Sequence, residues 1–224
     1  MGNSLSQLFG QTPADSDSAA ANDSLNDSIN TSETGDQSFR ELQEETGFTR
    51  RQLEQFYERF KDLVRFRAKG DVEKSTYITV EDLSSLESIR LNPLGDRISR
   101  VFISYATTEN SMKFPEFVKT LALFRTTSGD KEDDRQKKRI EKLRFLFKIY
   151  DTRNDGSITD KELCEILDKV FSDKADKKEM SKQVVQDMNK GIGDSVSFDD
   201  FCRYLSSVDI DITFSLPFLK RRSR

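Results

Sequence analysis

Residues 151–162 read DTRNDGSITDKE. Asp151 stands first, Asp155 fifth, Gly156 sixth at a sharp turn, and Glu162 twelfth. Ser157 is placed to offer its carbonyl at the seventh position, and Thr159 a side-chain or water-mediated oxygen at the ninth. A hard cation such as Ca²⁺ takes about six to eight oxygens, and a loop of this spacing brings such atoms round one point, with Glu162 as a two-oxygen clamp. Before the loop, Leu143, Leu146, Phe147 and Tyr150 make one face of an entering helix. Leu163, Ile166, Leu167 and Val170 do the same for an exiting one. One residue departs from the pattern. The third position calls for Asp or Asn, and here it is Arg153, which removes an oxygen and sets a guanidinium beside the cation. The loop is therefore expected to hold at most one weak Ca²⁺, the alternative being a loop kept for the fold alone. If that ion stabilises the loop, Glu162→Gln lowers the melting temperature only when Ca²⁺ is present.

The unit around this loop repeats. A loop residue of Ile, Val or Met, followed by a carboxylate and then Leu or Phe, occurs as Ile78 with Asp82-Leu83, Met112 with Glu116-Phe117, Ile158 with Glu162-Leu163 and Val196 with Asp200-Phe201. The closing residues 83, 117, 163 and 201 are 34, 46 and 38 apart, the size of a supersecondary unit. The wide central step predicts two pairs of units, each pair joined by a short β-bridge at the loop apolar residues. The other three loops are poorer in oxygen ligands. The fourth, 189–200, has Gly191 and Gly193 where carboxylates belong; the second counts back from Glu116 to Tyr105, but its entering helix is expected to end near Phe102, which makes the loop about two residues too long; the first carries an insertion of about seven residues. They are expected to serve the fold.

The fold class this predicts is all-α, with two paired lobes behind a disordered tail. The tail covers 1–37, the N-terminal lobe 38–125, a linker 126–139, the C-terminal lobe 140–208 and an apolar and basic tail 209–224. Thr49, with Gln52 three residues on, predicts a helix start, and Leu53, Phe56, Phe60, Leu63 and Val64 form its apolar stripe.

Composition narrows function by exclusion. The 224 residues contain no His, so no imidazole base and no His-ligated zinc, and no nucleophile–base pair suggests a reaction. The two cysteines, Cys164 and Cys202, are too few for a disulfide framework. No apolar run reaches the ~20 residues of a membrane span. A net charge of −4 argues against nucleic acid as a partner. Residues 1–39 hold no Lys or Arg, so the core must come from the remainder of the chain. The start, Met-Gly-Asn-Ser-Leu-Ser, fits the N-myristoylation pattern with Gly2 as acceptor. One such chain binds a membrane only marginally. The C-terminal FSLPFL at 214–219, followed by Lys220, Arg221, Arg222 and Arg224, offers a second membrane signal or a cover for an apolar groove.

ETGF at 45–48, QLEQFYERFKDL at 52–63, NPLGDRI at 92–98, KTLALFR at 119–125 and KLRFLFKIYD at 142–151 resemble the calcineurin B homologous proteins, an EF-hand family, over about residues 40–219. The resemblance implies a helper subunit of a plasma-membrane Na⁺/H⁺ exchanger, cytoplasmic and peripheral at that membrane, which clasps an amphipathic helix of the exchanger's cytoplasmic tail. An amphipathic partner helix also suits a Phe-rich helical protein on physical grounds. Phe102, Phe114, Phe117 and Phe124 are candidates to line such a groove. The alternatives are a regulatory subunit of a calcineurin-like protein phosphatase, which uses the same mode, and a free Ca²⁺ sensor.

Overall fold

The computed structural model describes residues 33–68, 76–125, 131–171 and 176–210. Helix α1 (Glu33–Thr46) starts five residues before Ser38, the expected start of the N-terminal lobe. Helix α2 (Arg50–Ala68) starts where Thr49 predicts. The N–H of Thr49 donates to the Gln52 side chain at 2.9 Å, and the N–H of Gln52 donates back to the Thr49 hydroxyl at 3.3 Å, satisfying donors that the first turn leaves open. The predicted stripe of α2 is buried throughout. Strand β1 (Tyr77–Ile78), short helices α3 (Val80–Ser84) and α4 (Glu87–Arg90), α5 (Gly95–Ile103), β2 (Met112–Lys113) and α6 (Phe114–Ala122) complete the N-terminal lobe. The C-terminal lobe comprises α7 (Glu132–Tyr150), β3 (Ser157–Thr159), α8 (Asp160–Val170), α9 (Lys177–Asn189), β4 (Ser195–Ser197), α10 (Phe198–Tyr204) and a 3₁₀ turn, Leu205–Ser207.

The architecture is all-α, and its strands form only two short antiparallel ribbons among the described residues. Ile78 pairs with Met112 and Ile158 with Val196, the four loop apolar residues of the repeat. All four lie at 0–2 % exposure, because each pair closes the base of two loops against the core. The carboxylate that ends each repeat sits at the third position of an exiting helix. There it accepts the N–H of the residue three before it: Thr79 to Asp82 at 2.8 Å, Lys113 to Glu116 at 2.9 Å, Thr159 to Glu162 at 2.9 Å and Ser197 to Asp200 at 3.3 Å.

Three boundaries differ from expectation. Residues 132–139, assigned to a linker, are the first two turns of α7. Glu, Asp, Arg, Gln and Lys give that stretch a linker's polarity, but Glu, Arg, Gln and Lys also favour helix. Arg139 anchors it further by donating to the carbonyls of Leu205 at 2.6 Å and Val208 at 3.0 Å. Helix α2 runs past Val64 to Ala68, so four residues of the first-loop insertion are helical. The tail prediction for 1–37 overlaps α1 by five residues. Gly2, residues 126–130 and the C-terminal 211–224 lie outside the described residues.

The family-like segments meet in pairs across the fold. Glu45 of ETGF forms an ion pair with Lys119 of KTLALFR at 2.7 Å. Arg97 of NPLGDRI reaches the end of α7 and donates to the carbonyls of Lys148 at 2.6 Å, Ile149 at 3.3 Å and Asp151, three acceptors near the helix's carboxyl end. Gly95 in the same motif has its α-carbon against α4, where a β-carbon would stand 2.0 Å from the Ile89 carbonyl oxygen. One continuous apolar core spans both lobes. Phe145 of α7 crosses between them, fully buried, with Phe124 edge-on at 5.0 Å and Tyr105 at 5.8 Å.

Candidate metal centre and apolar groove

The third loop closes between α7 and α8. Gly156 takes a left-handed conformation, φ +85°, and makes the sharp turn that the sequence predicts. The Asp151 carboxylate accepts the N–H groups of Asp155 at 3.1 Å and Gly156 at 2.9 Å. Asp155 accepts the N–H of Ser157 at 3.0 Å and its hydroxyl at 2.9 Å. Glu162 turns inward, its side chain 3 % exposed. One oxygen accepts the N–H of Arg153 at 3.0 Å and the Thr152 hydroxyl at 3.2 Å; the other accepts the N–H and hydroxyl of Thr159 at 2.9 and 2.8 Å. Burial alone would raise this carboxyl, but the bonds from Thr159 and Arg153 outweigh it and hold it down at about 2.

The Arg153 side chain is 56 % exposed but bends back over the loop carboxylates. Its guanidinium lies 3.1 Å from Asp155 and 3.4 Å from Glu162. The fold thus brings the predicted residues Asp151, Arg153, Asp155, Ser157, Thr159 and Glu162 together. The direction of the Arg153 side chain is what their spacing leaves open. Among the described residues, no three acidic or thiol groups converge as a metal cluster. In this arrangement the guanidinium engages Asp155 and Glu162, so the loop is a poor Ca²⁺ site as it stands. A cation enters only by displacing Arg153. Asp151 is buried, with its own carbonyl bonded to Arg97, so the loop is tied to the N-terminal lobe at its first residue.

The Phe residues nominated for a groove are interior. Phe117 is fully buried and Phe102 and Phe124 nearly so. Phe117 packs on Phe60 at 5.5 Å and Phe102 at 5.8 Å, and Phe124 on Phe145. Phe114 is half-buried among Phe39, Tyr57 and Phe60. Helical spacing marks a side chain as inward-facing without separating core from groove, and these serve the core. Among the described residues, an open apolar surface lies in the C-terminal lobe. A cavity of about 250 Å³ is lined by aliphatic and aromatic side chains, among them Leu146, Leu167, Val184, Met188, Phe201 and Ile210. Sequence pattern marks Leu146, Leu167 and Phe201 only as helix-face or loop-closing residues. It does not single out Val184 and Met188 of α9, although their spacing of four on a helix is a usable signal.

Helix–loop–helix units paired through bridges between their loops make this an EF-hand protein. Residues 140–206 match the EF-hand domain pair, a Ca²⁺-binding class of domain. The chain is 31% identical over 150 residues to the type 2 calcineurin B subunit of Dictyostelium discoideum, covering 67% of this chain and 72% of that one. Over 186 residues it is 29% identical to the calcineurin B subunit of Naegleria gruberi, covering 81% and 94% of the two chains. Over 205 residues it is 27% identical to calcineurin B homologous protein 3 of Gallus gallus, covering 80% and 91%. The chain belongs to the calcineurin B and calcineurin B homologous family of EF-hand regulatory proteins.

Proposed function

We propose that this protein is a non-enzymatic regulatory subunit that clasps an amphipathic cytoplasmic helix of a plasma-membrane Na⁺/H⁺ exchanger and supports its activity and stability. The observation that carries the reading is the apolar cavity of the C-terminal lobe, which is suited to the apolar stripe of a helix. The NPLGDRI segment and the similarity to calcineurin B homologous protein 3 support the exchanger as the source of that helix. Ca²⁺ binds weakly, at the third loop alone, in competition with Arg153. Myristate on Gly2, aided by Lys220, Arg221, Arg222 and Arg224, places the protein peripherally at the cytoplasmic face of the plasma membrane.

A second reading, the regulatory subunit of a calcineurin-like phosphatase, is favoured by the two calcineurin B subunits among the relatives. Gentle detergent purification of the tagged protein from membranes in chelator, with mass spectrometry of the proteins that accompany it, separates the two. A multi-pass cation/proton exchanger is the expected partner. A phosphatase catalytic chain instead, or no partner until Ca²⁺ is added, overturns the exchanger reading.

A further inference from the structure

A cation ordinarily draws the oxygens of an EF-hand loop together. In three loops of this chain, N–H and O–H donors of the loop itself occupy that role. In the second loop, Glu116 accepts the N–H of Thr107 at 2.8 Å and also its hydroxyl. In the third, Glu162 accepts the N–H of Arg153 at 3.0 Å. Thr107 and Arg153 hold the same place, third in the loop and nine residues before the closing glutamate. The third loop adds the guanidinium between Asp155 and Glu162. In the fourth loop the side chain of Asn189, 2 % exposed, donates to the carbonyls of Gly193 at 2.9 Å and Ser195 at 3.1 Å. Ser195 is seventh in that loop, where the carbonyl of a working loop would face the ion. Asn189 accepts in turn from the N–H of Gly191 at 2.9 Å, so its amide is used at both ends.

We propose that Arg153 and Asn189 replace the cation in the C-terminal lobe, so that the two loops and the groove beneath them are assembled without Ca²⁺. Arg153 supplies positive charge to Asp155 and Glu162. Asn189 supplies two N–H donors to the carbonyls of Gly193 and Ser195. This goes beyond the partner assignment and does not depend on it.

Thermal unfolding of the full chain, followed by circular dichroism in EGTA and in millimolar CaCl₂, tests it. The wild type is expected to melt at nearly the same temperature in both, as its weak site gains little from the ion. Arg153→Asn, which restores an oxygen at the third position, melts several degrees lower in EGTA and recovers with Ca²⁺. Its Ca²⁺ affinity by calorimetry is at least about tenfold that of the wild type. Arg153→Met and Asn189→Asp lose stability in EGTA. A wild type that gains as much from Ca²⁺ as Arg153→Asn overturns the proposal, as do variants that all melt like the wild type in EGTA. Amide hydrogen exchange of the wild type needs no variant to fold. The N–H of Arg153 should be equally protected with and without Ca²⁺, and protection only in Ca²⁺ overturns the proposal.

Discussion

Glu162 carries two duties that the sequence alone does not separate. Its twelfth position in the loop reads as a metal clamp, and the expectation that Glu162→Gln matters only in Ca²⁺ follows from that. The structure also gives it four hydrogen bonds within the loop and an ion pair with Arg153. Glu162→Gln is therefore expected to lose about 1–3 kcal/mol in EGTA, because a neutral amide meets donors arranged for a carboxylate. Urea unfolding in chelator measures this, and a loss confined to Ca²⁺ would return the residue to its metal role. Glu116 offers the matching test against pH. Burial opposes ionisation there, but hydrogen bonds from Thr107 and Lys113 outweigh it and lower the carboxyl below its ordinary 4.5. A depressed carboxylate stabilises the fold above its unfolded value, and that contribution fades as pH falls through the folded one. Glu116→Gln should shrink the difference between urea midpoints at pH 7 and pH 3. An unchanged difference would show that this carboxylate takes no part in acid unfolding. These roles are half legible in the sequence: spacing identifies the carboxylates as special, but which donors meet them depends on side-chain directions that spacing does not encode.

Helix α7 is the element that the sequence describes least well. Its apolar face is plain from Leu143 onward, while its first turns pass for a linker because their charges outweigh their helix propensity in a compositional reading. The anchoring of Arg139 on Leu205 and Val208 is a contact across more than sixty residues that no local pattern announces. The other end of α7 is held by Arg97. Arg97→Ala should cost about 1–3 kcal/mol by leaving the carbonyls of Lys148, Ile149 and Asp151 without this donor, and Arg97→Lys should recover less than half of it, since one ammonium cannot span the fork. Equal stability of the Lys variant and the wild type in urea would dismiss the fork geometry. Gly95→Ala, on the turn that aims Arg97, should cost at least about 2 kcal/mol by the same measurement, because the neighbour it meets is backbone that cannot rotate away.

At the scale of the molecule, four repeats, two ribbons and two lobes are readable, since each rests on an apolar residue recurring at a fixed distance from a carboxylate. The joining of the lobes is not. Phe145 and the Phe124 ring it meets come from segments that sequence analysis assigns to separate lobes, and only packing unites them. Phe145→Ala should remove about 3–5 kcal/mol and split urea unfolding into two transitions, seen as non-coincident far-ultraviolet and tyrosine signals. A single shared transition would mean that the remaining core suffices to couple the lobes.

The guanidinium of Arg153 has a consequence that concerns mass action. A bound ion leaves and returns at rates and occupancies fixed by its concentration in the surrounding fluid, so a lobe held by one is stable only to the extent that the ion is supplied. A cation attached two residues before one acceptor and nine before the other is present at an effective concentration fixed by the tether, and dilution cannot remove it. If Arg153 stands in for the ion as proposed, the surrounding calcium level has little hold on the folding of this lobe, and a calcium transient must first dislodge a tethered occupant.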